Sequence, residues 1–186
     1  MKKLILALCA ILVLSCFSAV AEEAFKVTLW EHTAKDLDEA GNVIEVPVKV
    51  TLTLDMPVEI NEIDTEVNDG FFATISRDGV TPVTVTILPA EFEDPHANLN
   101  NATEEQLQLY LDVVAQQYDE SKVIKQIRKT ASENVYLCAG EPTTYSIWQV
   151  YENTVIEIIQ NSEDGMDLTA EDQNFAVEVL QGIWME

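Results

Sequence analysis

Residues 46 to 54 alternate without a break. Val46, Val48, Val50, Leu52 and Leu54 fall on one side, and Pro47, Lys49, Thr51 and Thr53 on the other. In an extended chain successive side chains point to opposite faces, so this segment is a strand with one face in a core and one in water. A single wet face is the mark of an antiparallel sheet, and the rest of the chain has to supply the apolar layer that covers the other face. Pro47 has no N–H to donate, which places it near a sheet edge or at the strand's start.

The neighbouring segments repeat the pattern. Phe25, Val27 and Leu29 alternate with Lys26, Thr28 and Trp30, and Asp38-Glu39-Ala40-Gly41-Asn42 supplies turn chemistry between the two strands. Residues 56 to 70 are rich in acids and lack a period, which predicts a loop. Residues 71–75 and 82–88 flank Arg77-Asp78-Gly79 and read as a hairpin, with Val83, Val85 and Ile87 facing inward.

Thr103-Glu104-Glu105-Gln106 has the form of a capping box and opens a helix whose apolar stripe is Leu107, Tyr110, Leu111, Val114 and Tyr118. Four strands follow, near 123–128, 134–139, 144–151 and 154–160, in a meander. Thr169, with Asp172 three residues on, caps a closing helix whose core stripe is Ala176, Val179, Leu180 and Ile183, with Trp184 sealing its end. Strands, helix, strands, helix define the α+β class: an antiparallel sheet built from two strand-rich blocks, each followed by one helix.

This order, Thr103 opening the middle helix, and the terminal run Val179-Leu180-Gln181-Gly182-Ile183 together resemble the PsbP-like fold of extracytoplasmic proteins. The resemblance spans the chain after its first 21 residues. It implies a PsbP-like sandwich and a non-catalytic accessory or assembly role.

The first 21 residues read as a signal peptide. Lys2 and Lys3 precede the apolar run Leu4 to Phe17, and Ser18-Ala19-Val20-Ala21 offers a cleavage site before Glu22. The run is too short to span a bilayer, which takes roughly 20 apolar residues. Leu12-Val13-Leu14-Ser15-Cys16 also has the outline of a lipobox, and a lipid anchor at Cys16 would tether the protein to the cell surface. Phe17 after the cysteine fits that pattern less well than the Ala-Val-Ala site fits simple secretion. The expected product is one α+β domain over 22–186, extracytoplasmic and of bacterial type.

Charge narrows the partners. The chain has 33 acidic and 10 basic residues, a net charge of −23, and loss of the two leader lysines takes the mature domain to −25. Such a field repels phosphate backbones, so nucleic acid is excluded as a partner, and a protein or cell-envelope partner is expected instead. Lys122, Lys125, Arg128 and Lys129 are half of the mature basic residues. They are a docking patch or, more simply, cations that offset the surrounding negative field.

Catalytic chemistry has few carriers. Cys9 and Cys16 lie in the leader, leaving Cys138 alone, with no intramolecular disulfide; its apolar setting reads as a buried, inert thiol, the alternative being a reactive or intermolecular one. His32 and His96 are the only histidines, and His32 at a strand end reads as a surface residue. There is no Gly-x-Ser-x-Gly elbow, His-Glu-x-x-His or phosphate-cradling glycine loop. No catalytic residue and no cofactor is assigned.

Calcium is the alternative chemistry, because it takes six to eight oxygens and three acidic loops offer them. The candidate ligands are Glu62, Asp64 and Glu66 in the first loop and Glu93, Asp94 and His96 in the second; Glu163, Asp164 and Asp167 make up the third. Asp36-x-Asp38-x-x-Gly41 begins like an EF-hand, but Ala40 and Pro47 stand where oxygen donors belong. The sequence thus points to a secreted, acidic, non-enzymatic binding or accessory domain. A calcium-dependent extracellular module is the first alternative and an extracellular hydrolase the second.

Overall fold

The computed structural model describes residues 24–65, 70–89, 98–151, 154–162 and 165–185. Residues 1 to 21, where the sequence predicts a signal peptide or lipobox, lie outside them. The fold is α+β, and the described residues form two antiparallel sheets and two helices.

The alternating segment is the centre of the smaller sheet. Strand β1 (Phe25–Leu37) and β2 (Val43–Leu54) form a long hairpin, and the last strand of the chain, β10 (Ile183–Met185), pairs with Val50 to Leu52 on the far side of β2. Val50, Leu52 and Leu54 are buried as the alternation requires. Pro47 lies beyond the stretch that β10 reaches, where a missing donor breaks no ladder on that side. The turn between β1 and β2 is closed by Asp38, whose carboxylate accepts from the main-chain N–H of Ala40 and Asn42 and from the Asn42 amide. Gly41 takes a φ of +80° there.

The larger sheet has seven strands. The first block contributes β3 (Glu59–Asp64), β4 (Phe71–Ser76) and β5 (Val83–Pro89). The second contributes β6 (Ile124–Lys129), β7 (Val135–Glu141), β8 (Thr144–Tyr151) and β9 (Thr154–Asn161). The spatial order is β3-β4-β5-β9-β8-β7-β6, so the two blocks fuse where β5 pairs with β9, from Val83 opposite Gln160 to Pro89 opposite Thr154. The meander and the hairpin around Gly79 stand as the sequence predicts.

The stretch from 56 to 70 does not form a continuous loop. Residues 59 to 64 form β3, paired with β4 and register-shifted between Asn61 and Asp64. An edge strand needs little apolar sequence. Ile60, opposite Ile75, packs against the core, while Glu59, Glu62 and Asp64 face solvent. Charge and an irregular register keep such an edge from pairing with other chains.

Each face of the large sheet has its own core. On one, Val83, Val85, Ile87, Ile147, Ile156 and Ile158 pack beneath the closing helix α2 (Ala170–Gly182) and the small sheet. On the other, Val135, Leu137, Ala139 and Val150 meet helix α1 (Glu104–Ala115) and the short 3-10 turn Leu99–Asn101. Both helices begin with closed capping boxes, Thr103 with Gln106 and Thr169 with Asp172.

Four side chains depart from their expected places. Leu111 and Val114 are buried and Leu107 and Tyr118 partly so, but Tyr110 stays exposed, because α1 lies across β6 and β7 at the sheet's margin and seats only a narrow stripe. Phe175 is fully buried in α2, with the Arg77 guanidinium 4.4 Å from its ring centre. Ile183 is buried but belongs to β10, and Trp184 is 53% exposed and does not seal the helix. The helix passes into the strand without a loop at Gly182. A Cβ there would strike the Thr53 carbonyl oxygen, so only glycine lets the α2 terminus approach β2 closely enough for β10 to pair.

Candidate functional site

A cleft of about 210 Å³ opens beside that junction. One wall is the turn that enters β7, through Thr130, Ala131, Ser132 and Asn134. The floor is Gln149 and Tyr151 at the end of β8. The opposite wall is Leu180 and Gln181 of α2 together with Ile183, Trp184 and Met185 of β10.

The turn wall is fixed by its own hydrogen bonds. Thr130 N–H donates to the Asn134 carbonyl (2.9 Å), Glu133 N–H to the Thr130 carbonyl (3.0 Å) and Asn134 N–H to the Thr130 hydroxyl (3.1 Å). Glu133 takes a left-handed φ of +65° to close it. Asn100 ties the turn to the 3-10 segment, donating from its amide to Asn134 Oδ1 (2.9 Å) and accepting from Val135 N–H (2.7 Å). These bonds use the acceptors of Asn134 and Thr130 and leave the Asn134 Nδ2 and the Thr130 hydroxyl proton as donors beside the cleft.

Gln149 is 5% exposed, and its amide meets solvent on the cleft floor rather than being sealed in the core. None of the described residues lining the cleft carries a charge, in a chain with 33 acids and 10 bases.

The sequence-predicted metal ligands do not converge among the described residues. Glu62 and Asp64 lie exposed on β3, where Glu62 accepts from the Thr74 hydroxyl (2.8 Å) at a left-handed φ of +54°. Glu66, Glu93, Asp94 and His96 lie outside the described residues, as do Glu163 and Asp164; Asp167 is exposed. No group of three His, Cys, Asp or Glu side chains with metal-binding spacing occurs among the described residues.

The basic strand is largely matched internally. Lys122 pairs with Asp119 (3.4 Å), Lys125 with Asp112 (2.8 Å) and Lys129 with Glu133 (3.0 Å), which fits cations offsetting a negative surface. Cys138 is 1% exposed on β7, and burial pushes its thiol pKa up despite a hydrogen bond with Tyr145. A thiol so placed is a poor nucleophile.

His32 is not the surface residue its position at a strand end predicts. Its ring stacks on Trp30 with centroids 4.0 Å apart, and both ring nitrogens are sealed from solvent without a well-formed hydrogen bond among the described residues. Burial lowers its pKa, partly offset by the nearby Thr33 main chain. The long hairpin extends past Trp30, so what reads as a strand end is strand interior, and the ring lies over the small sheet's core face opposite Val48.

Gln149 escaped the sequence reading because a glutamine in a strand carries no periodic or motif signal. The one available hint was its position on the inward face of β8, two residues beyond Ile147.

The architecture and cleft together define an α+β two-sheet domain with a neutral, polar cleft beside its carboxy-terminal strand. No protein-family model matches the chain, and no curated protein matches it. No helix among the described residues is long and apolar enough to cross a membrane.

Proposed function

We propose that this chain is an extracytoplasmic binding or accessory domain without catalytic activity of its own, the role that its PsbP-like element order implies. The observation that carries this reading is the chemistry of the cleft. Among the described residues its groups are amides, hydroxyls and apolar surface, with no acid, histidine, lysine or thiol. Hydroxyls without a neighbouring base are weak nucleophiles, whereas neutral donors and acceptors on a fixed wall suit recognition. The strongly negative exterior keeps the domain soluble and selects against anionic partners.

The test is a pull-down from the cell-envelope fraction with the immobilised mature chain, beside assays on ester, peptide and oligosaccharide substrates. Saturable capture of a partner without turnover supports the reading. Turnover of any substrate, lost in a cleft variant, would replace it with the hydrolase.

A further inference from the structure

We infer that His32 is an acid-sensitive latch on the outer half of the β1–β2 ribbon, and that its protonation releases residues 31–48 from the body of the domain. This device is independent of the cleft and of the binding-domain reading.

The ribbon has a built hinge. β10 pairs with β2 only from Val50 to Leu52, and the β1 register slips between Thr28 and Trp30, the residue opposite Val50. Beyond that level, among the described residues, the two strands pair only with each other. Burial fades in the same direction: Val50 is buried, Val48 and Val46 are half-buried, and Ile44 and Val43 are exposed. A two-stranded hairpin is marginally stable in water by itself. The outer half therefore belongs to the easily opened part of the fold unless side chains hold it down.

Trp30 and His32 are those side chains. Trp30 is buried in the main core, and the His32 ring lies flat on it, with centroids 4.0 Å and planes 14° apart. The stack thus fastens the first residue pair beyond the hinge, His32 opposite Val48, to the core. Both ring nitrogens are sealed from water and have no hydrogen-bond partner among the described residues. A neutral imidazole carries one donor and one acceptor, and an imidazolium carries two donors. The second proton would leave a charge and two N–H groups buried without acceptors, a heavier penalty than the unmet neutral ring.

The surroundings do not offset that charge. The element packed against β1 is β2, and the residues of β2 in phase with His32 are Val46, Val48 and Val50. Glu45 and Lys49 alternate to the other side, together with Glu31, which Lys49 meets at 3.6 Å. Asp36 is the acidic position of β1 in phase with His32, opposite Ile44 and about 13 Å along the strand. The Trp30 face attracts a cation but supplies no acceptor for the ring N–H groups. Burial outweighs the nearby Thr33 main chain and lowers the His32 pKa from 6.5. Once the ribbon opens, the ring meets water and titrates at its ordinary value, so opening takes up a proton as pH falls below 6.5. The closed ribbon is fully favoured above that pH and loses ground as pH falls toward the folded value.

The experiment follows the mature chain by NMR from pH 7.5 to pH 5, above the range in which Asp172 gains its proton. H32F identifies the His32 signals and keeps a ring over Trp30 that cannot be protonated. It also shares every carboxylate with the native chain, so general effects of acid cancel in the comparison. The His32 ring should titrate below 6.5, with the Trp30 indole shifting in step. Amide protection factors across 31–48 should fall severalfold between pH 7 and pH 5, while the β5–β9 ladder keeps its protection. In H32F the ribbon's protection should stay constant. Titration of His32 at or above 6.5, ribbon protection that is unchanged as His32 titrates, uniform loosening of the whole domain, or the same loss in H32F overturns the inference. The native chain alone decides the first three, even if H32F does not fold.

Discussion

Asp172 and Thr81 stand 91 residues apart and share a hydrogen bond of 2.6 Å, from the Thr81 main-chain N–H to the Asp172 carboxylate. The other carboxylate oxygen accepts from the main chain and hydroxyl of Thr169, closing the α2 capping box. One side chain therefore both starts the closing helix and fastens it to the hairpin between β4 and β5. Close by, Arg77 holds Glu178 through two contacts of 2.9 and 3.0 Å, and Gln160 donates to the Thr81 carbonyl at 2.7 Å.

This arrangement makes stability depend on pH in a defined direction. Burial alone would raise the Asp172 pKa, but the hydrogen bonds from Thr169 and Thr81 outweigh it and hold the group at about 2, against 3.8 ordinarily. A carboxylate depressed on folding stabilises above its unfolded pKa, and that stability is lost as pH falls through the folded value. The shift corresponds to roughly 2 kcal/mol at neutral pH. Urea titrations should show D172N less stable than the native protein at pH 7, with the gap closing between pH 4 and pH 2. A gap unchanged at pH 2 would mean that ionisation is not the source.

The buried thiol gives a labelling test. Cys138 should react slowly with a thiol reagent in the folded protein and rapidly once unfolded. C138S should leave ligand capture intact, with a modest loss of stability from a hydroxyl placed in an apolar site. Rapid labelling of the native protein would show that the site opens.

Helix α1 can be tested at its start and in its stripe. T103A should cost about 1 kcal/mol through the lost N-cap. L111A removes a 2% exposed side chain and should cost about 2–5 kcal/mol. Y110A, on an exposed residue, should change stability by less than about 0.5 kcal/mol. A large effect at Tyr110 would put the helix on a different face.

At the helix-to-strand junction, G182A forces a methyl group against the Thr53 carbonyl and the Leu54 side chain. Overpacking of this kind costs on the order of 1–3 kcal/mol. Hydrogen exchange should accelerate in residues 183–185 before the β8–β9 ladder loosens. Uniform acceleration would show that β10 does not open separately.

Calcium separates a specific module from simple screening. Any cation stabilises a domain of this charge somewhat. A specific site of about 0.1–1 mM affinity would add roughly 1.4–2.7 kcal/mol at 10 mM. Equal melting shifts with calcium and magnesium are expected. A saturable calcium response that magnesium does not reproduce, lost in D64A or D94A, would reinstate the calcium module.

Local pattern was enough for most of the elements. Period-two alternation located β2 and the β4–β5 hairpin, and threonine three residues before an acid or amide located both helix starts, because these signals act within a few residues of chain. Buried Cys138 was legible from its apolar neighbours. Pairing across long separations was not. Nothing in residues 59–64 marks an edge strand until β4 lies beside it, and nothing in Ile183-Trp184-Met185 distinguishes a last helical turn from a strand until Gly182 lets it reach Thr51. The cleft belongs to this second kind. Gln149, Asn134 and the edge of β10 are ordinary residues in sequence, and they become a site because two sheets and a helix end bring segments about 15 to 50 positions apart to one place. Side-chain chemistry and short-range geometry are written along the chain, whereas a cleft floor or an open strand edge is a property of what does, and does not, pack against it.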